Sequence, residues 1–470
     1  MQLDSIVSAR IHPAIGIARV GNSQDEFFVG PEVPDAAAES SYRDPEGRLK
    51  RQAARFRIYG YDAGGAVAGE LTASNAEIAW TVHVANKKAA WYEFLIAFDI
   101  PEAAGYAASR RNAAVRGADR QRLAIDPGPR SIRGRNAAPQ PFDTGGFLGT
   151  PVYLGELRTD EEGRLLFLGG RGTSGSPAGA RLTTFANNDD WYDDISDGPV
   201  AARVRIGGRE IPVEHAWVVV APPNYAPEIV SVQTMYDVVS DALSPAARTP
   251  SFTADVYPLL RRLTQAQWVN YGFFARYGWQ SPFDFTRPEM AARLAAPGDE
   301  PLRGLIFSMF RNPDAPGFDP QQWPLLYGDA YDDVPGSPRW GLAVTRTLYG
   351  FLRRWAEGDF VSDYDPERRP AASLDEVAPA GQPETLDRTA LLFCEGGPFH
   401  PGCELSWPMR RPSLYAGGFR IRRRPEDVPE PDYGEVLTPA AALAPDGPLG
   451  MSGPGDLTRW MAVPWQTDTA

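Results

Sequence analysis

Ile78-Ala-Trp-Thr-Val-His-Val84 sets apolar Ile78, Trp80, Val82 and Val84 against Ala79, Thr81 and His83, the two-residue period of a half-buried strand. Upstream, Phe56 and Ile58 alternate with arginines in the same way. Downstream, Arg203–Ile206 and Arg209–Val213 flank Gly207-Gly208, which predicts a hairpin with a glycine turn, and Ala216–Val220 reads as a buried strand ending at Pro222-Pro223. The period changes near Ser251. Leu259, Leu260 and Leu263, then Trp268, Phe273 and Phe274, are expected on one side of a helix. Pro301 suits a first turn ahead of Leu302, Leu305, Ile306, Met309 and Phe310, and Leu348, Phe351, Leu352 and Trp355 make a further stripe ended by Gly358. All these stripes read as core. Proline-rich Pro366–Glu384 and Pro425–Pro448 read as surface connections. The expected fold class is α+β, predominantly β with a helical middle region, in one multi-part assembly. Its parts are a β-rich region over 1–245, a mainly helical region over 246–365 and a loop-rich segment over 366–470.

Composition narrows the function classes. The 470 residues carry 60 acidic and 47 basic side chains, a net charge of −13 that disfavours nucleic acid as a partner. Basic Arg48–Arg57 and Arg110–Arg122 read as solvated faces or loops. No stretch has the length of apolar sequence a membrane span needs, and Met1–Arg10 lacks the basic patch and apolar core of a secretory signal; a cytoplasmic location is expected, with export by another route left open. Two cysteines and the scattered His12, His83, His215 and His400 offer no metal-ligand spacing, so no metal is expected. Phosphate-binding glycine loops and the Gly-x-Ser-x-Gly elbow are absent.

The densest unusual stretch is Cys394-Glu-Gly-Gly-Pro-Phe-His400-Pro-Gly-Cys403-Glu404, preceded by a short helix. Glycine and proline there predict a tight loop whose backbone approaches another segment closely. With the later Val463-Pro-Trp465-Gln-Thr-Asp468, this string resembles the cysteine tryptophylquinone oxidases, the family of lysine ε-oxidase and glycine oxidase. Ile11-His-Pro-Ala-Ile-Gly-Ile-Ala-Arg-Val-Gly-Asn-Ser23, Arg51–Tyr59, Val84-Ala-Asn-Lys-Lys-Ala-Ala-Trp-Tyr92, Leu154–Leu157, Gly163–Gly170, Ala186–Pro199 and Trp268-Val-Asn270 extend the resemblance over nearly the whole chain.

The resemblance implies a cofactor made from the protein itself, cysteine tryptophylquinone, formed from Cys394 and Trp465, with Cys403 as the alternative thiol and Trp460 as the alternative ring. It implies oxidative deamination of an amino acid or related primary amine, with O2 as acceptor and an aldehyde or keto acid, ammonia and hydrogen peroxide as products. Asp468, His400 and Glu404 are the candidates for the proton acceptor. Maturation by a flavoprotein partner is implied as well, because the tryptophan must gain two oxygens, and a homo-oligomer is compatible. Relatives extend further past the quinone tryptophan, whereas Ala470 follows Trp465 by five positions, so the substrate, and with it the pocket wall, stays open. Two other readings also remain: a cofactor-less scaffold or binding protein, and a biosynthetic enzyme using the quinone on a tethered amine.

Overall fold

A computed structural model describes residues 3–243, 248–315, 319, 321–325, 343–396 and 403–468, without the side chains of 403, 404 and 468. Its main sheet runs, neighbour by neighbour, through Arg130–Arg133, Glu77–Val82, Asp197–Ile206, Ala216–Ala221, Ile15–Arg19, Arg51–Tyr61, Leu165–Leu168, Glu156–Thr159 and Gln140–Pro141. Every pairing along this path is antiparallel except that of Ala216–Ala221 with Ile15–Arg19. The two ends of the path come together, so the sheet is a nearly closed barrel, and the mostly-β expectation holds. Phe56, Ile58, Trp80, Val82, Leu165 and Val218 fill it. The glycine hairpin forms as read: Val204 pairs with Ile211 and Ile206 with Arg209, across Gly207 and Gly208 at φ 56° and 83°. Positive φ at both positions matches the right-handed twist of the flanking strands.

A second core, built around Leu259, Leu260, Leu263, Ile306, Phe351 and Trp355, belongs to the helices between Tyr257 and Ala356. Here three side chains read as core lie outside it. Trp268, Phe274 and Leu305 are at least half exposed. The helix Tyr257–Gln265 gives way to a 3-10 turn at Ala266–Trp268, and Asn270 caps a new helix, Tyr271–Tyr277, by accepting from Gly272 N and Phe273 N. The helical phase is thereby reset, and extrapolating one periodic face across the break misplaces Trp268 and Phe274. The stripe ending at Trp355 packs as expected, with Thr345 capping its helix and Gly358 at φ 84° beyond it.

The basic strand Arg51–Tyr61 also departs from its reading as a solvated face. Arg51 and Arg57 are buried. Arg57 grips Glu32 with two hydrogen bonds of 2.7 Å, and Arg55 joins them. Burial alone would raise the Glu32 carboxyl, but these guanidiniums win and hold it down to about 2.

Gly198, where Asp197–Ile206 begins, shows how close these layers lie: a Cβ there would sit 1.9 Å from His83 O. Gly198→Ala is expected to cost about 1–3 kcal/mol of unfolding free energy in urea titrations. Gly304→Ala, in a helix where a Cβ meets nothing within 4 Å, should instead stabilise by about 0.5–1 kcal/mol.

Candidate active site

Helix Gln382–Leu392 packs along the barrel strand Ile15–Arg19 and delivers Cys394 just past its end. Asp387 lies within this helix. It accepts from Ala14 N at 2.6 Å and pairs with His12 Nδ1 at 2.9 Å, tying the helix to the barrel. Cys394 is then fixed from several sides. Arg19 Nη2 donates to Phe393 O at 2.9 Å, Met235 N donates to Cys394 O at 2.8 Å, and Gly396 and Gln233 exchange hydrogen bonds of 3.0 and 2.8 Å. A Cβ at position 396 would stand 2.1 Å from Thr234 O, so only glycine permits this approach. The thiol is buried, which raises its pKa despite the opposing pull of Arg19. It lies on the wall of a cavity of about 360 Å³, among Val220, Val232, Met235, Leu405 and Met461.

Trp465 arrives on a segment held by buried polar groups of the barrel. Asp193 Oδ2 accepts from Trp465 N at 2.9 Å and from Lys88 Nζ at 2.8 Å, and Lys88 Nζ also donates to Ala462 O at 2.8 Å. Both Lys88 and Asp193 have no solvent exposure. Asn86 Nδ2 supports the other oxygen of Asp193 at 2.9 Å, Asn188 Nδ2 donates to Val463 O at 3.1 Å, and Arg111 Nη1 donates to Met461 O at 3.0 Å. Thus Arg111, within a stretch read as solvated, is a buried strut. Further upstream, Asp197 takes Thr458 N and Oγ1 at 2.7 Å each, while burial pushes its carboxyl up to about 6.

The ring of Trp465 is buried in the same apolar core as Cys394, and its Nε1 has no hydrogen-bond partner. Trp460 Nε1 also lacks one, so that feature alone does not choose between them. Position does. Trp460 packs edge-on against Trp91 and Trp407, with ring centroids 5.1 and 4.8 Å away, in a separate core. The free thiol and the unpartnered indole in one core fit a thioether-linked tryptophan quinone. His400 lies outside the described residues. Cys403 and Glu404 open the helix Cys403–Met409, and Asp468 ends the turn Trp465–Asp468; their side chains also lie outside the description.

Arg19, Lys88, Asp193 and Asp194 were not singled out in the sequence, although each stands inside one of the strings that carried the resemblance. Asp194 is buried. Its Oδ2 accepts from Thr173 N at 2.9 Å, and its Oδ1 has no partner. Burial, with some help from the Asp193 charge, pushes it up to about 7.

Comparisons with known proteins identify the family and the fold. Residues 12–220 match the family described as L-Lysine epsilon oxidase N-terminal, and residues 328–470 match the L-lysine epsilon oxidase C-terminal domain. The L-lysine 6-oxidase of Marinomonas mediterranea is 29% identical over an alignment of 541 positions, covering 97% of this chain and 70% of that protein. A crystal structure of the Schiff base intermediate of L-Lys epsilon-oxidase from the same organism with L-Lys superposes with a TM-score of 0.72 at 27% identity, covering 98% of this chain and 75% of that one. Another structure of that enzyme gives a TM-score of 0.74 at 27% identity, with the same coverage. The fold and site define a barrel-based oxidase scaffold. The chain belongs to the L-lysine ε-oxidase family.

Two outcomes are expected. Lys88→Met leaves the Asp193 charge buried without its partner, and denaturation should show a loss of about 3–5 kcal/mol. Asp194 holds a proton in the folded state between its unfolded value near 3.8 and about 7. The folded protein therefore binds more protons than the unfolded one across that window, and Asp194 makes stability fall as pH rises from 4 to 7. Asp194→Asn should flatten this part of the stability profile relative to wild type.

Proposed function

We propose that this protein is an amino-acid oxidase that works through a cysteine tryptophylquinone formed from Cys394 and Trp465. The observation that carries the reading is the buried free thiol on a cavity wall, in one core with an indole whose Nε1 is unpartnered. Family membership supplies the class of reaction: oxidative deamination with O2 as acceptor, releasing an aldehyde or keto acid, ammonia and hydrogen peroxide. The quinone supplies the electron sink for this chemistry.

The chain's own residues supply position and environment. Lys88 and Asp193 fix the backbone on both sides of the cis Val463-Pro464 bond and so set where the Trp465 ring stands. Arg19, Met235 and Gln233 fix the backbone that carries the thiol. The apolar wall, Val220, Val232, Leu405 and Met461, limits water around the reacting amine. Asp468, His400 and Glu404 remain the proposed proton acceptors. A flavoprotein partner that oxidises the tryptophan is part of the proposal, as is action in the cytoplasm.

Peptide mapping by mass spectrometry, on protein co-produced with the flavoprotein partner, tests the reading. The expected result is a Cys394–Trp465 cross-linked peptide that has gained two oxygens and lost four hydrogens. Cys394→Ala and Trp465→Phe should each abolish the quinone absorbance and peroxide release, whereas Trp460→Phe should retain both. Unlinked, unoxidised peptides from co-produced protein would favour the non-catalytic scaffold instead.

A further inference from the structure

Arg19 is the cation on the wall of the Cys394 cavity, whose lining also carries Glu395. The Arg19 side chain is buried, with 8% exposure. Nη1 donates to Pro222 O at 3.0 Å and Nη2 to Phe393 O at 2.9 Å, while Nε has no partner. Among the described residues no carboxylate lies within ion-pair distance of it; Arg303 is likewise hydrogen-bonded only to carbonyls, and what sets Arg19 apart is its place on the cavity wall beside Cys394. A guanidinium buried without an anion is costly. The neighbouring thiol does not supply the missing charge, because burial keeps Cys394 protonated at neutral pH. The cavity, at about 360 Å³, falls within the usual span of small-molecule sites, about 300–1,000 Å³, and Val220, Ala221, Val232, Met235 and Phe273 give it an apolar lining.

We propose that this cavity binds an α-amino acid with an apolar side chain, its carboxylate held at Arg19 and its α-carbon presented beside Cys394. The proposal rests on the oxidase reading above and adds substrate class and site of oxidation to it. Arg19 hydrogen-bonds the carbonyl of the residue next to Cys394. A carboxylate anchored there keeps the amine on the adjacent carbon at the Cys394 end of the cavity, whereas the ε-amine of a lysine stands several bonds further away. The net reaction breaks the Cα–H bond and passes two electrons to O2, which leaves as hydrogen peroxide. Water contributes the new keto oxygen, and the nitrogen departs as ammonium.

The test has a binding arm and a product arm. In calorimetric titrations 4-methylpentanoate, which is leucine without its amine, should bind wild type about tenfold or more tighter than its amide, 4-methylpentanamide. Arg19→Gln should erase that preference, and Arg19→Lys should keep part of it. If Arg19→Gln does not fold, the acid-to-amide comparison on wild type decides alone. Equal binding of acid and amide overturns the proposal. In the product arm, matured protein should convert L-leucine to the 2-oxo acid with kcat/KM about tenfold or more above that for 3-methylbutan-1-amine. An aldehyde from L-lysine that retains its α-amino group, formed in preference to leucine oxidation, overturns it. Because the binding arm needs no quinone, a missing cross-link defeats the oxidase reading without touching this result.

Discussion

The buried pair of Lys88 and Asp193 is the contact on which the site depends. Neither residue is exposed, and between them they hold Ala462 O and Trp465 N, the two ends of the turn that carries the proposed quinone ring. Two charges taken out of water repay that cost only when their remaining donors and acceptors are also satisfied. Here Asn86 completes Asp193, and the Ala462 carbonyl takes a further Lys88 proton. The pair therefore fixes direction more than it adds stability. A hydrophobic substitute would fill the space and leave the backbone on either side of Pro464 without its anchors.

The same economy of paired charge recurs outward from that contact. Asp456 meets Lys87, Arg424 and Arg459, which hold its carboxyl down to about 2 against the opposing effect of burial. Arg459 in turn lies 3.5 Å over the Trp91 ring. Through Asp197 and Lys87, which hold Thr458 and Asp456, the C-terminal segment is fastened to the barrel by side chains of its strands and loops. The segment itself has little regular structure, and it needs these side chains because short 3-10 turns such as Thr458–Trp460 supply few internal hydrogen bonds.

How much of this was legible in the sequence depends on the kind of signal. Period-two strands such as Glu77–Val82 and the Gly207-Gly208 hairpin follow from local sterics and were readable directly. The Cys394 loop was readable as a close approach because Gly396 carries it, although its partner, Thr234, was not. Arg51, Arg57 and Arg111 were misread because a charged residue looks solvated until its partner is known, and Glu32 or the Met461 carbonyl lies far away in the chain. Leu305 was misread for a different reason: periodicity identifies an apolar face without saying whether another element covers it, whereas Trp268 lies past a break in helical phase. Lys88 and Asp193 carried no local signal at all, since their pairing exists only once the barrel has closed.

Set against these paired charges, Arg19 stands out for its place on the wall of the Cys394 cavity. Some buried cations meet carboxylates, as Arg57 does with Glu32 and Lys88 with Asp193, while Arg303 is hydrogen-bonded only to backbone carbonyls. Arg19 receives two carbonyl oxygens, which orient a guanidinium but do not neutralise it. Carbonyl dipoles hold this cation in place on a largely apolar wall, and among the described residues no carboxylate forms an ion pair with it. Such a group costs stability in the empty protein and recovers it when an anion enters, which is how a binding site differs energetically from a structural ion pair. The placement of that cation beside the backbone of Cys394 then joins recognition to chemistry: the charge that selects the ligand also determines which carbon faces the reactive end of the cavity.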